Sequence, residues 1–345
     1  MKTIGSRPAH LALTLPRAGR QGGAALLSAM LTVTLVASLA STALWQQWRS
    51  VEVESAERDR VQSAWILAGS LDWARLILRE DARAGGPDHL VEPWAVSLNE
   101  ARLSSFLAVD RSAIDSGPEA FLSGQISDLQ ARLNVTNLVE GDHVSDVAIA
   151  SFGRLFERLG LPAQPLNTLA SQLLQASPTA GGAPMSTASL MPQRVEQLTW
   201  LGISPDMLAV LSPHITLLPM RTTVNLNTAS AEVIYASTPG LEMVGAQRLV
   251  AARERSPFRT LADVRLQLGG SAGQFSENQH GVSSRFFEVR GRLRLERTTV
   301  EERSLLQRDG LTVRTLWRER GVVIERPTEE SPQPRGPSPL AQFKP

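Results

Sequence analysis

The 345-residue chain has room for about two folded units plus tails, and its 35 basic and 34 acidic residues leave a formal net charge of +1. That balance excludes a global field drawing the chain to nucleic acid or anionic surfaces. Cysteine is absent, which excludes disulfides, thiolate nucleophiles and cysteine-held metals, and a single tyrosine, Tyr235, leaves little for stacking bases or sugars.

Residues 1–23 read as a basic leader, with Lys2, Arg7, Arg17 and Arg20 and no acid. Ala24 to Trp45 then runs without charge. As a helix it rises about 33 Å, enough for a hydrocarbon core of ~30 Å. Arg49 is the next charge, and Glu52, Glu54, Glu57 and Asp59 follow. Basic residues before the span predict a cytoplasmic N-terminus, an inner-membrane crossing and a periplasmic remainder. A cleaved secretory signal competes, with Leu26–Val36 as its apolar region and Ser38-Leu39-Ala40 as its small residues. Against it, the apolar run continues to Trp45 and a helical pattern follows without a polar break.

Arg20-Gln21-Gly22-Gly23 before Ala24-Ala25-Leu26-Leu27 resembles a prepilin peptidase site. Cleavage between Gly23 and Ala24 would leave the membrane helix attached. The fifth mature residue is then Ser28, where most pilin-like proteins carry glutamate. A carboxylate in hydrocarbon costs roughly 2.5–3.5 kcal/mol and is tolerated when paired, as with a neighbouring subunit's N-terminal ammonium. Ser28 cannot make that pair. Ser28 and Thr32, like Thr34 and Ser38, lie four residues apart. Their hydroxyls either form a stripe for helix packing or bond their own preceding carbonyls.

From Trp45 to near Arg83 there is no proline, and Val61, Ala64, Trp65, Ala68 and Leu71 recur at helical spacing. This predicts one helix over 24–83, half anchor and half amphipathic, whose outward face around Glu57 to Trp73 is a candidate contact surface. Gly85-Gly86-Pro87 breaks it. Residues 124–138 alternate as two short strands or one bent one. Helices are expected at Val144–Leu159, Leu166–Leu174, Gln193–Leu201 and Asp206–Leu211, with Ala176–Ser189 a low-complexity loop. Strands return at Arg285–Glu296, Thr299–Gln307 and Leu311–Trp317, with Asp309-Gly310 as a hairpin turn. The tail from about Glu325 is rich in proline, serine and charge.

Val224 to Val264 resembles a helix-hairpin-helix module. Thr228 or Ser230 can cap its first helix, Pro239-Gly240 makes the turn, and Val244 to Arg253 continues. In DNA-binding modules the turn offers backbone N–H groups to a phosphate. Here Glu242 stands where a second glycine is usual and repels phosphate. Arg248, Arg253, Arg255 and Arg259 read as a solvated face, and Asn225 and Asn227 as turn-fixing amides. A membrane-tethered DNA-binding protein is the alternative reading. The five histidines, His10, His89, His143, His214 and His280, show no metal spacing, and neither HExxH nor GxSxG occurs. No enzyme is expected.

Taken in order, the segment 20–27, residues 128–138, Val224 to Ala229 and Ser284 to Val289 resemble the K-type minor pseudopilins of type II secretion, the general secretion pathway protein K family. The resemblance implies an α+β fold: a long transmembrane and amphipathic helix, a pilin-like antiparallel sheet, and a large inserted all-helical domain holding the helix-hairpin-helix-like element. The expected parts are the leader 1–23, the helix 24–83, the first pilin-like part 84–140, the insertion 141–283, the returning strands 284–324 and the tail 325–345. The resemblance also implies N-methylation of Ala24 and assembly through the Ser28 and Thr32 region. Its implied partners are I-type and J-type minor pseudopilins, prepilin peptidase and the inner-membrane assembly platform, with no nucleic acid. The family lacks the fifth-position glutamate, which fits Ser28 to a filament tip with no subunit ahead. Structural calcium is implied too, although Ala176–Met191 lacks the acidic, tryptophan-containing stretch expected there. The leader and the tail are also longer than the family pattern.

Overall fold

The computed structural model describes residues 22–103, 119–177, 190–269, 274–295 and 298–322. The leader up to residue 21, most of the expected loop 176–189 and the tail 325–345 lie outside them. The chain divides into two compact units, with the boundary after Val61.

Helix α1 runs Gly22–Ala84, matching the proline-free sequence pattern. It is the one described helix long and apolar enough to cross a membrane. In the second unit Leu67, Leu71, Ala74 and Leu78 form its buried stripe, at the i, i+3, i+4 spacing of one helix face. They pack on a five-stranded antiparallel sheet of order β1-β2-β9-β10-β11, comprising Leu98–Arg102, Ala120–Asp128, Phe286–Leu295, Thr298–Asp309 and Thr312–Val322. Gly124 and Gly291 face each other across β2 and β9. The absence of a side chain at Gly291 lets α1 come close. A β-carbon there would stand 3.3 Å from Leu67 Cδ2 and 3.4 Å from Ser70 Oγ. Gly310, at φ 55°, makes the β10–β11 turn expected from Asp309-Gly310. Trp94 is buried edge-on to Phe287, ring centroids 5.2 Å apart.

β2 and β9 are hydrogen-bonded neighbours, yet residues 129–285 lie between them in sequence. This excursion carries helices α2 (Asp146–Arg158), α3 (Gln164–Ala176), α4 (Pro205–Leu211), α5 (Ala231–Ser237), α6 (Met243–Arg255) and α7 (Leu261–Gln267). Phe152, Leu155, Phe156, Leu169, Leu173, Leu198, Leu201, Ile234 and Leu249 share its core. Three short strand pairs tie it together: β3 (Leu133–Asn134) with β6 (Ile215–Thr216), β4 (Val139–Glu140) with β5 (His143–Val144), and β7 (Val224–Asn225) with β8 (His280–Gly281).

One local expectation is refined and one changes. Residues 124–138 hold two strands, the end of β2 and the short β3, parted by a 3-10 turn: β2 ends at Asp128, whose side chain accepts from the Gln130 N–H. Asn134 repeats the device with Thr136, because short polar side chains offer the backbone a turn in place of a ladder. Val195–Leu201 is a 3-10 rather than an α-helix. Leu198 and Leu201, both fully buried, share a face at the three-residue repeat of that helix, and Gly202 at φ 91° ends it.

Candidate functional site

Gly23 and Ala24 sit in the first turn of α1. A β-carbon on Gly23 would meet nothing within 4 Å, so packing within this chain does not require glycine there, and glycine costs a helix about 1 kcal/mol relative to alanine. One turn on, Ser28 Oγ donates to Ala25 O (3.0 Å). Thr32 Oγ1 donates to Ser28 O (3.0 Å) and Ala29 O (2.8 Å). Thr34 and Thr42 do likewise. These hydroxyls are satisfied inside their own helix, and the surface they leave is small and apolar.

Within the second unit, the face of α1 opposite the buried stripe carries Trp65 (75% exposed), Trp73 (65%) and Leu76. Two indoles left in solvent are unusual for side chains that bury 150–250 Å² when covered. The sequence pattern placed Val61 and Trp65 with Leu71 on the apolar stripe, but both are exposed and only Leu71 of the three is buried.

The base of the excursion is a buried polar cluster that the sequence reading missed. Asp128 Oδ2 accepts from Ser284 Oγ (2.6 Å), Thr228 Oγ1 (2.5 Å) and Asn225 Nδ2 (3.1 Å), and Oδ1 from the Gln130 N–H (2.7 Å). Burial pushes the Asp128 carboxyl up to about 6, against the pull of those hydrogen bonds. Asp88 Oδ2 accepts from the Ser284 N–H (2.6 Å) and Oδ1 from Arg308 Nη2 (2.5 Å), while Arg308 Nη1 reaches Asp81 (2.6 Å). Burial raises the carboxyls of Asp88 and Asp81, and Glu92 adds to the rise at Asp81. The signal in the sequence was Asp128 itself, an acid on the otherwise buried face of a strand. Ser230, not Thr228, caps α5, because the Thr228 hydroxyl is committed to Asp128. Asn225 Oδ1 accepts from the Asn227 N–H (3.0 Å), in keeping with the turn-fixing role expected of it, whereas the Asn227 amide departs from that role and bonds the Phe258 N–H and carbonyl (both 2.9 Å).

Asp81, Asp88 and Glu92 are the three-carboxylate group the described residues offer a cation. It does not suit calcium. The Arg308 guanidinium already supplies positive charge to Asp81 and Asp88, and Glu92 Oε2 accepts from the His89 N–H and from Trp94 Nε1.

The hairpin turns at Gly240 (φ 74°), and Glu242 occupies the N-cap position of α6. Gly245 lies so close to Leu241 that a β-carbon would stand 2.6 Å from its Cδ1. Arg253 departs from the solvated face expected of it. It is buried, its Nη1 donating to Leu226 O (2.7 Å), and burial lowers its pKa to about 10. It braces the Asn225–Asn227 turn and presents nothing to a phosphate. Arg154 likewise donates to the carbonyls of Thr238 and Leu241 and stacks over Tyr235.

An apolar N-terminal helix whose second half packs on an antiparallel sheet is a pilin-like arrangement, and its length and composition are consistent with a membrane anchor. Family models for protein K of the type II secretion system match residues 131–220 and 224–283. Type II secretion system protein K of Pseudomonas aeruginosa is 29% identical over 324 residues, covering 86% of this chain and 89% of that one. The Pectobacterium carotovorum protein K is 25% identical over 333 residues, covering 88% and 97%. A chain of the crystal structure of the GspK-GspI-GspJ complex from enterotoxigenic Escherichia coli superposes with TM-score 0.56 at 17% identity, covering 77% of this chain and 98% of that one. The chain is thus similar to type II secretion system protein K over most of its length, in two family-model segments and in both relatives.

Proposed function

We propose that this chain is a minor pseudopilin of type II secretion, the non-enzymatic tip subunit of a periplasmic pseudopilus, and promotes its assembly for export of folded proteins across the outer membrane. The observation that carries this reading is α1. Its apolar span is entered by Gly23-Ala24, it has Ser28 where a carboxylate would pair with the subunit ahead, and its second half leaves Trp65 and Trp73 uncovered. Prepilin peptidase cuts between Gly23 and Ala24 on the cytoplasmic side, Ala24 is then N-methylated, and the inner-membrane platform draws the helix into the filament. I-type and J-type minor pseudopilins, the partner classes named in the related complex, cover the tryptophan face, with the Ser28–Thr32 surface packing in the membrane.

Co-expression with the I-type and J-type proteins, detergent extraction and affinity capture test it. Wild type is expected to retain both partners. Trp65→Glu with Trp73→Glu is expected to lose at least ten times as much partner as control while melting normally, since surface substitutions usually change stability by less than ~0.5 kcal/mol. Undiminished capture by the double variant contradicts the assignment of this face.

A further inference from the structure

Asp128 is wholly enclosed, and every hydrogen bond it accepts comes from a neutral donor: two hydroxyls, an amide side chain and a backbone N–H. These donors come from both ends of the excursion. Gln130 follows β2 and Ser284 precedes β9, while Asn225 and Thr228 belong to β7 and the turn into α5. Among the described residues no cation touches Asp128. Asp88 is the charge that acts on it directly, and it too is anionic. Arg308 on β10 is committed to Asp88 and Asp81, Arg285 beside Ser284 is paired with Asp309, and Glu92 binds the Trp94 indole. His280 on β8, beside β7, bonds Thr238 and the Ser276 N–H.

We infer that Asp128 is a proton-linked latch at the neck joining the sheet to the helical excursion, closed most tightly when its carboxyl is protonated. An ionised carboxylate without a cation is disfavoured in a low-dielectric site and favours any opening that readmits water. The arrangement can take up the proton without breaking. A proton on Oδ2 can be donated to Thr228 Oγ1 at 2.5 Å, whose own hydrogen turns to Asn225 O at 3.4 Å. Acidification therefore tightens the neck, and neutral pH loosens it. Burial, which pushes the carboxyl up to about 6, places the change between neutral and mildly acid conditions.

The test uses the full chain in detergent micelles. Urea unfolding of wild type and Asp128→Asn from about pH 7.5 to about pH 4.5 is expected to show wild type gaining on the variant by about twentyfold in its folding equilibrium. Amide exchange at residues 224–229 and 282–286, corrected for its intrinsic pH dependence, is expected to slow on acidification in wild type relative to the variant. Should the variant not fold, infrared titration of wild type decides. A buried protonated-carboxyl band appearing with a midpoint near pH 6 supports the latch. A band confined to the ordinary carboxyl range, or parallel stability curves for the two proteins, overturns it.

Discussion

Asp128, the last residue of β2, and Ser284, just ahead of β9, are joined by a 2.6 Å hydrogen bond, so the excursion from 129 to 285 is closed at its base. The same serine's N–H reaches Asp88 at 2.6 Å. One residue thus ties the end of the sheet to the loop after α1. Ser284→Ala keeps the backbone bond and removes the hydroxyl from a buried carboxylate. It is expected to cost about 1–3 kcal/mol, read as a lower urea midpoint, with the partners of the tryptophan face still captured.

Arg308 joins Asp81, near the end of α1, to Asp88. It also lies over the Phe287 ring, 4.8 Å from its centroid. Arg308→Met fills similar volume but leaves the buried Asp88 and the half-buried Asp81 carboxylates without this cation. Breaking one side of such a cluster costs about 3–5 kcal/mol. Thermal melting should fall accordingly, whereas Arg58→Met, which disrupts the exposed pair with Glu54, should move it by less than ~1 kcal/mol.

The contrast between these residues shows what the sequence could and could not reveal. Local rules found α1, because its proline-free register is a one-dimensional pattern. They also found the Asp309-Gly310 turn, where the chemistry is confined to two residues. Nothing local marks Arg253 as buried. It follows Ala252 on a helix that looks solvated, and its burial comes from Leu226 O, many residues away. Asp128, Asn225, Ser284 and Arg308 meet only because β2 pairs with β9 across the long excursion. The family resemblance supplied that topology in outline and no part of its hydrogen bonding.

Gly291 sits beneath Leu67 and Ser70 of α1. Gly291→Val places branched carbons where the helix approaches, and overpacking of this kind costs about 1–3 kcal/mol. Chemical denaturation should show the loss, and Leu67→Ala combined with it should recover part of that loss by making room, a non-additive result expected of residues in contact.

His280 Nδ1 accepts from the Ser276 N–H at 3.3 Å, so Nε2 carries the proton, facing Thr238 Oγ1 at 3.1 Å. Burial lowers its pKa to about 4. A folded value below the unfolded one near 6.5 means that its contribution is complete above about pH 6.5 and is lost as pH falls toward about 4, some 3 kcal/mol in all. The raised carboxyl of Asp128 acts with the opposite sign, since its contribution is present at low pH and lost as pH rises through about 6. Wild-type stability should therefore vary little across this window, while His280→Asn should grow more stable on acidification. A His280→Asn curve parallel to wild type contradicts the assignment.

The central claim is that α1 is a processed pseudopilin helix retained as an assembly element, and the mature N-terminus tests it most directly. Intact-mass and N-terminal peptide measurement of the protein isolated from membranes should find a chain beginning at Ala24, carrying one methyl group, with Gly23→Leu accumulating uncut. A chain beginning near Ser41, with the apolar span removed, would contradict the account.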